Sequence, residues 1–135
     1  MRIVLDTNVL VAGLLSPFGA PGQIVRLMSA GDLTLCLDAR ILSEYEEVLA
    51  RPKFAFDPDA VGALLDFVAH QGEMIVGAPL ASGLPDPDDE PFLEVALSSG
   101  ADYLVTGNGQ HFPDDCCKDV RAVSPAQFMG SFRVA

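Results

Sequence analysis

Short apolar runs that end abruptly in polar turns, each followed by a helical pattern, constrain this chain more than any other feature. Arg2-Ile-Val-Leu5, Leu33-Thr-Leu-Cys-Leu37, Met74-Ile-Val76, Tyr103-Leu-Val-Thr106 and Val120 to Val123 read as strands. Between them the apolar spacing turns helical. Val9, Leu10, Ala12 and Leu14 follow a cap at Thr7 or Asn8, and Pro21 opens a helix through Ile24, Val25, Leu27 and Met28 that stops at Gly31. From Ala39 to Ala50, Ile41, Leu42, Tyr45, Val48 and Leu49 share a helical face closed off by Pro52; Asp57-Pro-Asp-Ala60 starts another with Val61, Leu64, Leu65 and Val68, ending near Gly72. A helix from about Asp89 to Ser99 ends at Gly100, and a short one starts at Pro125. Parallel strands need crossover helices, so this alternation predicts an α/β fold: a three-layer α/β/α sandwich with a mostly parallel central sheet.

The 135 residues fit one domain, 1–135, since domains commonly run about 100 to 150 residues. A hydrophobic fraction of 50% supplies a core, and no repeat or low-complexity tract interrupts it. The longest apolar stretch, Ile3 to Leu15, is broken by Asp6, Thr7 and Asn8 and falls short of the roughly 20 residues of a membrane span. The amino terminus lacks the pattern of a secretory signal, so the expected location is the cytoplasm. Three cysteines, Cys36 in an apolar run and the adjacent Cys116 and Cys117 in a polar loop, suggest free thiols rather than a disulfide framework or a zinc site. The net charge of −11 offers a polyanion no long-range attraction, yet a group of carboxylates awaiting a divalent cation would produce the same sign.

In open parallel sheets, ligands gather at the carboxyl ends of strands. Asp6 and Asn108 occupy that position. A carboxylate directly after Ile-Val-Leu is expensive to bury unless it caps, pairs or binds a cation, and Thr7 or Asn8 is available for capping instead. Glu44 lies at the edge of the Ile41, Tyr45 and Val48 stripe, whereas Glu47 points away; a solvated flanking charge explains Glu44 equally well from periodicity alone. Asp89 is in register with Phe92, Leu93 and Ala96, so a carboxylate sits on the core-facing stripe of its helix, while Asp86 and Asp88 are free to cap.

Carboxylates without neighbouring His or Cys suit an oxygen-loving cation, Mg²⁺ or Mn²⁺, and hence metal-assisted phosphodiester hydrolysis. Asp86, Thr106, Asn108 and Asn8 are candidates for orienting the ligands or a water. His70 projects to the polar side of its helix, and His111, close after Asn108, is within reach of the site, with packing in its own loop the favoured expectation. Arg40, Arg51 and Lys53 flank the Glu44 helix, as phosphate contacts or as partners of Glu46 and Glu47. No nucleophile elbow or phosphate-binding GxxxxGK[ST] is present.

Leu5-Asp-Thr-Asn-Val-Leu10, Ser43-Glu-Tyr-Glu-Glu-Val-Leu49, Asp86-Pro-Asp-Asp-Glu-Pro-Phe-Leu93 and Ala101-Asp-Tyr-Leu-Val-Thr-Gly-Asn108 together resemble PIN domains, most of all the bacterial PIN-family toxins of toxin–antitoxin systems, relatives of the VapC group. The resemblance spans almost the whole chain. It implies an α/β/α sandwich and RNA cleavage with Mg²⁺ or Mn²⁺ held by Asp6, Glu44 and Asp89, with Asp86 the fallback for the third acid. It also implies a homodimer and a small antitoxin partner. Asn108 stands where many PIN domains carry an aspartate, which removes one negative charge from the site. Two rivals remain open: a catalytically silent PIN-like interaction module, and a structure-specific DNA nuclease.

Overall fold

The computed structural model describes residues 1–80, 83–113 and 119–134; Cys116 and Cys117 lie outside the described residues. Strands β1 (Arg2–Leu5), β2 (Thr34–Leu37), β3 (Glu73–Met74), β4 (Tyr103–Val105) and β5 (Ala122–Val123) form a sheet in the order β3-β2-β1-β4-β5, with every pair parallel. The helices are α1 (Thr7–Leu15), α2 (Ala20–Ser29), α3 (Ala39–Leu49), α4 (Pro58–Gln71), α5 (Glu90–Ser99) and α6 (Pro125–Val134). The connections β1 to β2 and β2 to β3 step one way across the sheet, and β3 to β4 steps back. Right-handed crossovers therefore place α1 to α4 on one face and α5 on the other, which completes the α/β/α sandwich.

Burial follows this layout. Ile3, Val4 and Leu5 of the central strand are fully enclosed, as are Leu104 and Val105 beside them. Phe92, Leu93 and Ala96 of α5 pack onto β1, β2 and β4, while Ile41, Tyr45 and Leu49 form the inner face of α3. Gly100 closes α5 with φ +65°, a left-handed conformation that a side chain would strain. Cys36 is a buried free thiol in β2, as its apolar run implies. Among the described residues no single helix is long and apolar enough to cross a membrane.

Several local expectations change, the last strand among them, which covers Ala122–Val123 rather than Val120 to Val123. Neither Thr7 nor Asn8 caps α1: the helix begins at Thr7, and Asp6 occupies the cap position without making a side-chain capping bond. The third strand covers Glu73–Met74 rather than Met74 to Val76, because its ladder to β2 ends with Ile75 N on Leu37 O at 2.8 Å, leaving Val76 94% exposed past the sheet edge. The last helix is not short. It runs for ten residues because Phe128 is buried edge-on against Tyr103, with ring centroids 5.5 Å apart.

The strand order has one switch point. From β1 the chain leaves toward β2, and β4 later returns on the other side, so the carboxyl ends of β1 and β4 open a crevice between diverging connections.

Candidate metal centre

Asp6 emerges at that crevice. Its backbone N–H bonds Val105 O at 2.9 Å, so the residue is still tied to β4 where its side chain leaves the sheet. The residue is only 6% exposed, and its Oδ2 accepts from Thr106 Oγ1 at 2.7 Å. Thr106 Oγ1 in turn accepts from the Asn108 backbone N–H at 3.0 Å. A relay from Asn108 through Thr106 thus fixes one oxygen of Asp6. Asn8 spans the same two turns, its Oδ1 accepting from Gly107 N at 3.4 Å.

Glu44 reaches the crevice from α3. It is half-buried, as its place at the stripe edge implies, and it accepts a hydrogen bond from the Thr7 hydroxyl. Tyr45, the next residue, is fully buried and donates its hydroxyl to Leu5 O, so α3 is tied to the end of β1.

Asp89 arrives from the opposite layer. A 3-10 turn, Pro87–Asp89, precedes α5, and Asp86 caps it by accepting from Asp88 N at 3.0 Å. Asp89 stands at the cap position of α5 without a side-chain capping bond, so its carboxylate is free for another use. Its side chain is 13% exposed, and Oδ2 lies 3.0 Å from His111 Nδ1. That distance would suit a hydrogen bond, yet no bond of acceptable geometry reaches this buried oxygen. One donor atom from each of Asp86, Asp89 and His111 lies within 4.8 Å of the others.

The carboxyl groups share one field. Burial pushes Asp6 above the ordinary carboxylate range; the Thr106 bond opposes it, and the charge of Asp89 adds to it. Glu44 is raised first by burial and further by Asp6, with the Thr7 bond opposing. Asp89 is raised by burial, drawn down by His111, and raised again by Asp86 and Glu44. Asp6, Glu44 and Asp89 therefore feel one another's charge, but among the described residues the ligand atoms that lie within 4.8 Å of one another are those of Asp86, Asp89 and His111, without Asp6 or Glu44. Among the described residues none of the three is ion-paired to Lys or Arg. Buried carboxylates that repel one another around an orphaned oxygen fit a divalent cation, which would satisfy that oxygen and offset the repulsion.

His111 is a functional candidate where the sequence favours loop packing over an approach to the site. It sits in a one-turn 3-10 helix, Gly109–His111, that carries it from the end of β4 back to Asp89. Its closeness to Asn108 in the chain is the signal that points to it. His70, by contrast, is exposed and bonds Asp66 O at 2.7 Å. The basic residues sort differently from expectation. Arg51 pairs with Glu47 at 2.9 Å, but Arg40 pairs with neither Glu46 nor Glu47: it bridges Asp38 at 2.7 Å and Glu94 at 2.9 Å, two buried carboxylates that bring it inward. Lys53 lies over the Phe54 ring, 5.1 Å from its centroid.

No curated protein and no solved structure matches the chain. A PIN-domain family profile matches residues 2–110, from the start of β1 through the turn after β4. That span contains Asp6, Glu44, Asp86, Asp89, Thr106 and Asn108. The chain belongs to the PIN-domain family, whose members are in general nucleases that use a divalent metal.

Proposed function

We propose that this protein is a Mg²⁺- or Mn²⁺-dependent endoribonuclease and the toxin of a toxin–antitoxin pair, acting in the cytoplasm. The carrying observation is the set of raised, mutually repelling carboxyls around the orphaned Asp89 oxygen at the β1/β4 switch point. The RNA substrate, the small antitoxin and the homodimer rest on the motif resemblance.

In this reading Asp6, Glu44 and Asp89 hold the cation. When bound, it supplies a Lewis acid for a phosphodiester oxygen and lowers the pKa of an attacking water. Thr106 keeps Asp6 in one rotamer, and Thr7 does the same for Glu44. The Asn108 backbone N–H orients the Thr106 hydroxyl, and its side-chain amide would anchor a water. Asp86, by capping the turn before α5, positions Asp89.

The test is cleavage of a mixed RNA pool by purified, antitoxin-free protein with Mg²⁺, Mn²⁺ or EDTA, alongside Asp6→Asn. Metal-dependent cutting that disappears in Asp6→Asn is expected. Absence of cutting by well-folded protein would turn the reading toward a silent interaction module, the rival that Asn108 favours. Preferential cutting of DNA in a mixed competition would replace the substrate class.

A further inference from the structure

We propose that His111 is a metal ligand, and that with Asp89, and Asp86 beside them, it forms a mixed nitrogen and oxygen site preferring a transition-metal ion such as Mn²⁺ over Mg²⁺. This rests on reading the centre as a metal site and adds the class of ion it selects.

The distance between His111 Nδ1 and Asp89 Oδ2, 3.0 Å, has two physical explanations. One is a hydrogen-bonded Asp–His pair. The other is two neighbouring ligands of one ion, because two atoms bound at right angles at about 2.1 Å lie about 3.0 Å apart. The 3.0 Å pair draws the Asp89 carboxyl down by charge, yet no donor meets hydrogen-bond geometry at Oδ2 although that atom is buried, which favours the second explanation. With the ring proton on Nε2, both Nδ1 and Oδ2 are acceptors, and a cation bound between them would satisfy both. Asp86 contributes a third donor atom within 4.8 Å of the other two.

An imidazole in the set changes which ion is held. Mg²⁺ takes oxygen ligands and dehydrates reluctantly, whereas first-row transition ions accept imidazole readily. Asn108 supplies no negative charge where many relatives have one, so the site has fewer anionic oxygens to offer Mg²⁺. His111, three residues later, adds a neutral nitrogen donor instead. The 3-10 turn after Asn108 is what swings this ring onto Asp89.

The protein has two histidines, so nitrogen coordination is assignable. Pulsed EPR of the full chain, stripped with EDTA and given one equivalent of Mn²⁺, should show ¹⁴N coupling to the bound ion. His70→Ala should keep that coupling; His111→Ala should lose it, with Mn²⁺ affinity falling about tenfold and Mg²⁺ competing more effectively. His111→Gln, which retains a polar side chain of similar reach, should also lose it while circular dichroism remains that of the folded protein. Mn²⁺ bound without nitrogen coupling, coupling that survives in His111→Ala, or no bound Mn²⁺ would overturn the proposal. RNA cleavage is a separate readout. Cutting without nitrogen coupling would remove His111 alone as a ligand, whereas coupling without cutting would uphold the metal site and remove the nuclease reading.

Discussion

Two strands of this sheet end in the same dipeptide, Leu-Asp, and the two aspartates do opposite things. Asp6 comes after β1 and Asp38 after β2; both are buried, and both occupy the cap position of the next helix. Asp38 uses its whole carboxylate locally: Oδ1 accepts from Ile41 N at 2.9 Å, and Oδ2 accepts from Arg40 Nε at 2.8 Å. Asp6 makes no capping bond and among the described residues meets no guanidinium; the Thr106 hydroxyl, the Thr7 backbone and the charge of His111 oppose its burial. The difference lies in the next two residues of the chain after each aspartate and in where its strand stands in the sheet. Arg40, two residues on, neutralises Asp38 and also bridges to Glu94 on α5, so this turn fastens two layers together. Thr7 and Asn8 bring no charge to Asp6 and bond Glu44 and Gly107 instead. An aspartate after a parallel strand thus becomes a fastening or a site according to whether its surroundings complete it.

Cleavage should separate the two turns most sharply. Asp6→Asn removes a charge aimed into the crevice and should lower the RNA cleavage rate by at least about a hundredfold. Asp38→Asn should change it by less than about threefold, since Asn can still cap and Glu94 remains for Arg40. Single-turnover rates at saturating Mn²⁺ measure both. Equal losses would mean that Asp38 belongs to the reacting centre and that the contrast is only geometric.

Stability should order the pair in reverse. Asp38→Ala loses a helix cap and charge-assisted bonds in a buried setting, which should cost about 2 kcal/mol in denaturant unfolding. For Asp6, Glu44 and Asp89 the folded pKa lies above the unfolded value. Their contribution to stability is therefore fully present below the ordinary carboxylate range and is lost as pH rises through the elevated folded values. At neutral pH, without metal, these charges work against the fold. Asp6→Asn in EDTA should raise Tm at pH 7 by about 2–4 °C, and the gain should vanish as the pH falls below the elevated range of the Asp6 carboxyl, where the wild-type group is also protonated. Divalent metal should stabilise the wild type by about 2.7 kcal/mol at a hundredfold excess over Kd, and Asp6→Asn much less. A Tm that falls in metal-free Asp6→Asn would show that Thr106 more than compensates the buried charge.

The same contrast separates the features that are legible in the chain from those that are not. Strand and helix alternation carries the architecture because period and turn residues are local: Leu33 to Leu37 and Ala39 to Ala50 can be placed without knowing their neighbours. Asp89 is legible because it shares a helical face with Phe92 and Leu93, so its burial follows from theirs. Asp38 and Glu94 carry no comparable mark, and Arg40 offers several partners, since their meaning is a contact between α3 and α5 that sequence spacing cannot express. His111 escapes for a related reason. An irregular turn decides whether its ring points at Asp89 or into its own loop, and such turns have no period to read. Local propensity puts Val76 in a strand, but the partner strand runs out before it.

The smallest effect tests how tightly the two halves of the site are coupled. Tyr45 stands next to Glu44 on α3, and Leu5 precedes Asp6 on β1; the hydroxyl of one donates to the carbonyl of the other. A single buried bond therefore fixes the spacing between the residues that carry two of the carboxylates. Tyr45→Phe keeps the ring and its packing, removes the donor, and should destabilise the protein by about 1 kcal/mol. Because Thr7 still holds Glu44 and Thr106 still holds Asp6, cleavage should fall by no more than about threefold, with KM unchanged. A loss approaching that of Asp6→Asn at similar stability would mean that the threonine hydroxyls do not set the geometry. The Tyr45 tie would then be the main positioning element, and the contrast between the two aspartates would depend as much on what holds α3 against β1 as on what each carboxylate touches.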